Sequence, residues 1–431
     1  MVLAILLLLF IVLVVIRTPV AFAMGVSSVA VLLMFPIAPM IVIPSRMYAS
    51  ADSFVLLAVP LFILAGSLME RGGIAARLVG LAQALIGHVK GALGMIVVVA
   101  EMFFSGISGS SVADVSAISA MLLPAMKRAG YKPEYSVSII AAASAMGMLI
   151  PPCNNMIILG AMINMSIAAL FFAGFLPAFV LALLIIALLA VQARIYDLPA
   201  GKRASFGQLA RAVVDAIIPL GMPLIIFGGI LGGIFSPTES AGIAVAYALV
   251  VGIFLYKEIK LKDLLPICVE TGVTTATVLV LVQLASTFSY LMAIEQLPKL
   301  LAGAITSVSS HPIFFLMISN LIFILLGSLL EGAPAMIIFV PILYPIAQQL
   351  GVDMLHWGIL VITAVGYGLF LPPAGVGIVV GCSVGKVSIA SVVKPLTPFF
   401  AILLVGLVIL TVFPFITTIV PEMMNMHTVT R

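Results

Sequence analysis

The chain has 431 residues, 64% of them hydrophobic and 8% charged, with a mean hydropathy of +1.37. Soluble domains carry roughly 25% charged residues, so this composition excludes one and indicates a polytopic membrane protein. A net charge of +4 would suggest nucleic acid as partner of a soluble chain, but no nucleic acid is expected here, and the placement of the charges says more than their sum.

The first apolar run, LAILLLLFIVLVVI (3 to 16), has no basic segment before it and no small-residue cleavage site after it, so it reads as a membrane helix rather than a leader. In chain order the expected crossings are 2–16, 19–43, 51–70, 135–165, 168–192, 213–232, 238–256, 264–292, 355–385 and 392–420, about ten in all. Runs such as LFFAGFLPAFVLALLIIALLAVQ (170 to 192) and LTPFFAILLVGLVILTVFPFI (396 to 416) approach or exceed the roughly 20 apolar residues that cross a bilayer as helix. Strand alternation is absent, which argues against a barrel. Segments 91–128 and 312–348 differ from the crossings. Each holds two apolar stretches of about 14 to 17 residues, short for spanning, around a polar tip: SGISGSS (105 to 111) and GSLLEGAP (327 to 334). They read as helical hairpins that enter the membrane and return.

Behind each hairpin a proline pair interrupts an apolar run, in GMLIPPCNNMIILG (147 to 160) and GLFLPPAGVGIVVG (368 to 381). Proline has no N–H to donate and clashes with the carbonyl one turn back, which costs a helix interior about 3 kcal/mol or more. One shift of 221 positions superposes the two pairs. It also matches Gly106 with Gly327, Pro124 with Pro345, Gly130 with Gly351, Gly147 with Gly368 and Gly160 with Gly381. The chain therefore carries an internal duplication. Upstream the match decays to a gapped echo between RTPVAFAMG (17 to 25) and FSPTESAGI (235 to 243).

Of the nineteen Lys and Arg residues, this layout collects all but Arg46, Lys299 and Arg431 on one face. By the positive-inside rule that face is cytoplasmic and both termini lie outside. Five crossings, an odd number, separate equivalent points of the two copies, so the repeats are inverted. Inverted repeats with discontinuous helices mark secondary transporters, whose sites lie near the midplane where broken elements of both halves meet. Freed carbonyls there can coordinate Na⁺, and helix N-termini can face an anionic substrate group. The proline pairs opposite the hairpin tips are where such chemistry is expected.

The stretch SGISGSSVADVSAISAMLLPAMKRAGYKPEYSVSIIAAASAMGMLIPPCNNMIILG (105 to 160) resembles the large membrane subunit of tripartite ATP-independent periplasmic (TRAP) transporters. PTESAG (237 to 242), the EGAP tip and GLFLPPAGVGIVVG strengthen the likeness, which covers essentially the whole chain. The resemblance implies a sodium-driven importer of organic acids in a bacterial inner membrane, C4-dicarboxylates and sialic acid being among the possible substrates. It also implies an elevator-like motion, a small four-helix membrane subunit and a periplasmic substrate-binding protein. No small-subunit sequence is joined to this chain, so that partner is expected to be separate.

The expected fold is thus an all-α polytopic membrane protein, an inverted-repeat elevator-type transporter with about ten crossing helices and two re-entrant hairpins. Scaffold helices and the first arm occupy 1–90, and the transport region 91–165. Scaffold and second arm occupy 166–305, the second transport region 312–385, and a C-terminal scaffold helix 386–431. Carried onto matching positions, the resemblance puts one sodium site at Ser105, Ser108, Gly147, Ile150 and Pro152, largely through carbonyls. The related site falls at Gly327, Gly368 and Leu371. The second tip lacks the serines of the first, with Glu331 standing where Ser110 does, which predicts unequal sodium affinity.

Ser110, Ser111, Asp114, Asn154, Glu331 and Pro373 are expected near substrate. Acids at membrane depth are functional candidates because burying their charge costs about 2.5 kcal/mol or more. Asp114, just inside a half-helix, serves as helix cap or as site electrostatics; Glu101 is read as structural, and Asn154 and Asn155 as partners of freed backbone or of substrate. No cofactor is expected beyond sodium as coupling ion, and no enzymatic activity. GISG (106 to 109) matches an intramembrane serine protease motif, but the expected topology brings no histidine to that serine. GCSVGKVS (381 to 388) has the wrong glycine spacing for a P-loop and no strand before it. Cys153, Cys268 and Cys382 lie in apolar runs and read as buried helix residues. A self-sufficient dicarboxylate/sodium symporter or antiporter of like architecture is the alternative reading, and a channel a weaker one.

Overall fold

The computed structural model describes residues 1–201, 203–309, 311–330 and 332–426. Lys202, Glu331 and Arg431, which enter the expectations above, lie outside them. Among the described residues the chain is helical throughout, with one isolated bridge, Lys90 to Ala200, in place of any strand.

The first copy runs through α1 (Val2–Val15), α2 (Val20–Met34), α3 (Val42–Ala51), α4 (Ala58–Arg71), α5 (Ile74–Ile86), α6 (Ala92–Ser108), α7 (Ser111–Arg128), α8 (Pro133–Gly147), α9 (Asn154–Ile163) and α10 (Ile167–Ile195). The second runs through α11 (Phe206–Leu231), α12 (Pro237–Val250), α13 (Leu261–Ile294), α14 (Leu297–Val308), α15 (Pro312–Leu330), α16 (Gly332–Gln349), α17 (Met354–Leu369), α18 (Val376–Gly385), α19 (Ile389–Val412) and α20 (Phe415–Met423). The shift of 221 carries α7 onto α16 residue for residue, and the starts of α8 and α6 onto or within one residue of those of α17 and α15. It also carries α5 onto α14 and the span of α3 and α4 onto α13. The duplication therefore extends over nearly the whole chain, well upstream of where the residues themselves still match. Gly130 and Gly351, paired by the shift, have φ +87 and +67 at the ends of α7 and α16. A residue with a Cβ rarely adopts that left-handed turn, so both copies keep glycine there.

Several expected spans change shape. The helix expected over 19–43 stops at Met34, ahead of Pro36 and Pro39, and the chain restarts as α3. The run 135–165 is two helices, as is 355–385, and 392–420 is divided at Phe413 and Pro414. The hairpin arms are 17, 18, 19 and 18 residues long, longer than expected, so shortness does not set them apart from crossing helices. Among the described residues eight helical segments are long and apolar enough to cross a membrane, and both arms of the second hairpin are among them. α13 is one rod of 34 residues, about 51 Å long, where the first copy has a break between Ala51 and Ala58.

The core is built around α8 and α17. Every residue from Ser136 to Gly147 and from Leu355 to Leu369 is buried, as expected of helices that are apolar on all sides. They touch each other, and α6, α7 and α19 pack on α8 while α15 and α16 pack on α17. Two polar pairs lie in this core: Trp357 Nε1 donates to Ser319 Oγ at 2.9 Å and Asn320 Nδ2 to Thr411 Oγ1 at 3.0 Å. α12 begins with a capping box, in which Ser236 Oγ accepts from the Glu239 N–H at 3.3 Å and Glu239 Oε2 from the Ser236 N–H at 2.7 Å. The PTESAG stretch is thus a helix start. At one end of the molecule the connections 87–91 and 197–201 pair through backbone bonds, Gly91 N–H to Pro199 O at 3.2 Å and Gly201 N–H to Gly87 O at 3.1 Å. Lys90 Nζ lies 2.7 Å from Asp197 Oδ1 there and holds that carboxyl below the usual carboxylate range.

Candidate functional site

The first tip turns in two residues. Gly109 takes φ +65 at the end of α6, Ser110 is extended, and α7 begins at Ser111. Ser108 Oγ accepts from the Ser110 N–H at 3.1 Å, which ties the turn to the arm. A Cβ on Gly109 would stand 3.3 Å from the Pro152 carbonyl oxygen. Opposite the tip, α8 ends at Gly147; the Leu149 and Ile150 N–H groups close tight turns onto the carbonyls of Met146 and Gly147, at 3.0 and 2.9 Å. The Pro151–Pro152 bond is cis, and the extended Cys153 leads into α9. The second copy repeats this: the Leu371 N–H bonds to Gly368 O at 3.0 Å, and Pro372–Pro373 is cis before α18.

Around the first break lies a buried polar network. Ser105 Oγ is 2.6 Å from Asp114 Oδ2 and 3.2 Å from Glu101 Oε2. Ser108 donates to the other oxygen of Asp114, and Ser144 on α8 to the other oxygen of Glu101. Glu101 and Asp114 are both wholly buried. Glu101 is therefore no isolated structural acid: it shares the Ser105 hydroxyl with Asp114. Glu101, Ser105 and Ser108 follow one another at i, i+4 and i+7 on a single helix face, a spacing visible in the sequence. Ser144, three residues before Gly147, was legible only with its helix neighbours known. A Cβ on Gly147 would collide with the Ser105 hydroxyl, so the broken helix and the tip are in direct contact.

The second copy keeps the backbone of this arrangement and loses its polarity. Ile322, Leu326, Leu329, Ala335 and Val365 stand where Glu101, Ser105, Ser108, Asp114 and Ser144 stand in the first. Gly327 and Gly368 meet backbone to backbone: a Cβ on Gly368 would lie 2.9 Å from Gly327 Cα and would collide with the Ile324 carbonyl oxygen. Leu371 follows at the break. Glu331, expected at this tip, lies outside the described residues.

A cavity of about 530 Å³ opens beside the first tip. Ser108, Ser110, Ser111 and Asn154 line it from α6, α7 and α9, Gly332 from the second hairpin, and Glu70, Glu270, Thr271 and Thr274 from α4 and α13. Three residues expected near substrate, Ser110, Ser111 and Asn154, thus share one wall. Asp114 and Pro373 do not: Asp114 stands behind the wall, bonded to the two serines, and Pro373 is exposed elsewhere. The first N–H groups of α7 point out of its N-terminus toward this space, which favours an anionic group. Glu270 is held by Arg71 at 2.5 Å. Thr271 Oγ1 and Asn154 Oδ1 are buried without a hydrogen-bond partner.

The family model described as the DctM component of tripartite ATP-independent periplasmic transporters matches residues 7–416. An uncharacterized protein of Salmonella typhimurium called YgiK is 40% identical over 94% of both chains. The C4-dicarboxylate TRAP transporter large permease protein DctM of Pseudomonas aeruginosa is 32% identical over 94% of this chain and 95% of its own. Among solved structures, the YdaH transporter of Alcanivorax borkumensis superposes with a TM-score of 0.54 over 86% of each chain, at 17% identity, a likeness of fold alone.

Proposed function

Because the chain belongs to the DctM family, the large membrane components of tripartite ATP-independent periplasmic transporters, we propose that it is the permease of a sodium-coupled importer of organic acids. The observation that carries the sodium reading is the network at the first tip. Two buried carboxylates, Glu101 and Asp114, converge on serines 105 and 108 with no cationic side chain bonded to them among the described residues. Such acids are costly at membrane depth unless a cation offsets them. A sodium ion held by the hydroxyls of Ser105 and Ser108 and by carbonyls of Gly147, Ile150 and Pro152 supplies that charge. At the second break, Gly327, Gly368 and Leu371 offer carbonyls only, which supports a weaker second site.

Substrate belongs in the cavity beside the first tip, with a carboxylate at the N-terminus of α7 and Asn154 as a further contact. C4-dicarboxylates and sialic acid both suit this reading. The carrier works in the inner membrane of a bacterium with a four-helix subunit and a periplasmic binding protein that delivers the acid. Alternating access comes from an elevator-like shift of the hairpins and broken helices against the scaffold. Uptake into proteoliposomes holding the chain and its small subunit, supplied with liganded binding protein, tests the coupling. Replacing sodium by choline is expected to abolish uptake, and equal uptake in choline would rule the reading out.

A further inference from the structure

A second and larger cavity, about 760 Å³, lies along the same contact between scaffold and hairpin regions. α3 and α13 form one wall and α9 and α16 the other. Ile158 of α9 lines both cavities, so they adjoin at that residue. They also share one face of α13. Thr271, Thr274 and Val278 face the inner cavity; Val282, Ser286 and Ser289 face the outer. Steps of three and four residues put all six on one stripe, about 27 Å long from Thr271 to Ser289. The stripe is hydroxylated at both ends and apolar at Val278 and Val282, where the cavities meet.

The outer cavity carries a cation with which no carboxylate pairs among the described residues. Arg46 lies on its wall with the guanidinium carbon 4.2 Å above the ring of Tyr290, another wall residue. Among the described residues Arg46 has no ion pair, whereas Arg71, Arg77 and Lys90 each have a carboxylate. Stacking occupies the flat face of a guanidinium and leaves the fork of N–H donors on its edge, which matches a carboxylate in geometry. On the α13 side, Ser289 Oγ is buried without a hydrogen-bond partner. Asp52 also borders the cavity; a like charge there limits how tightly an anion is held, which suits a place of passage.

We infer that the outer cavity is a second carboxylate site, in which Arg46 and Ser289 hold the organic acid before it passes Ile158 and the valines of α13 to the hairpin tip. This rests on the reading of the inner cavity as the substrate site. The site takes a small organic carboxylate.

The test uses the complex with the small subunit in proteoliposomes, carrying Ser289→Cys and Cys268→Ser, since Cys268 is the exposed native thiol. Two methanethiosulfonates of similar size, one bearing a sulfonate and one a trimethylammonium, are compared for their rate of modifying the new thiol. The anionic reagent is expected to react faster by about tenfold relative to its rate on a free thiol. Arg46→Gln is expected to bring the ratio to about one, and Arg46→Lys to restore part of it. A ratio unaffected by Arg46→Gln overturns the proposal. Should Ser289→Cys fail to assemble, Arg46→Gln alone is measured for uptake. An apparent KM raised about tenfold with kcat and sodium dependence retained supports the site. An unchanged KM overturns it, as does weaker docking of the unliganded binding protein, which would make Arg46 a docking contact. The labelling ratio needs no transport, so absence of sodium-dependent uptake in the parent complex counts against the functional reading and leaves the Arg46 result standing.

Discussion

A single hydroxyl joins Glu101 and Asp114, the two buried acids among the described residues. Ser105 lies within hydrogen-bond reach of both Glu101 and Asp114 but has one proton to give, so it serves one carboxylate at a time while Ser108 and Ser144 bond the other oxygens of Asp114 and Glu101. Ser105→Ala removes an oxygen from the proposed sodium cage without adding bulk against Gly147. Interactions with charged groups contribute about 1.5–3 kcal/mol, so the half-saturating sodium concentration is expected to rise by about tenfold or more. Membrane yield and thermal unfolding should stay near those of the parent. An unchanged sodium dependence would remove Ser105 from the site. From sequence, the serines were singled out through the family pattern, while the contact of Glu101 with them was not. A lone acid in an apolar run gives no sign of its neighbour until Ser144 and Asp114 are known to fold against it.

At the level of helices, the duplication was legible where backbone geometry demands particular residues, and illegible where only apolarity is needed. Gly130 and Gly351 hold positive φ, Gly327 and Gly368 allow backbones to touch, and the proline pairs break helices; such positions tolerate few substitutes. α5 and α14, or α4 and the second half of α13, need only an apolar stripe, which many sequences supply, so their correspondence appears in the fold alone. The break in the first copy opposite the unbroken α13 left no comparable mark. The α15–α17 contact gives a test. Gly368→Ala forces a methyl into backbone atoms of Ile324 and Gly327 that cannot rotate away. It is expected to lower the unfolding temperature and abolish transport. Gly80→Ala, in α5 with open space around it, is expected to be neutral or stabilising by up to about 1 kcal/mol, because alanine is the better helix former. Equal behaviour of the two variants would mean that α15 and α17 are not in close contact.

For the molecule as a whole, the placement of charge bears on its orientation in the bilayer. Charge placement predicts that the face carrying Arg71, Arg77 and Lys90 is cytoplasmic, and residues of that face are tied to one another in the fold. The 87–91 and 197–201 segments pair directly. Arg77 on α5 lies 3.5 Å above the Tyr256 ring and 3.9 Å from Glu258, in the connection between α12 and α13. Between Arg211, near the start of α11, and Lys299, near the start of α14, lie three segments long enough to cross, Phe206–Leu231, Pro237–Leu255 and Leu261–Ile294. Three is odd, so crossing by all three would put the two positions on opposite faces. Both side chains are exposed, which makes them reporters. In a Cys268→Ser background, a membrane-impermeant maleimide applied to spheroplasts is expected to label Lys299→Cys at once and Arg211→Cys only after permeabilisation. Labelling of both from the same side would make the number of crossings between them even. The hairpins would then enter from a common face, and the pseudosymmetry that brings the two broken helices together at the midplane would be lost.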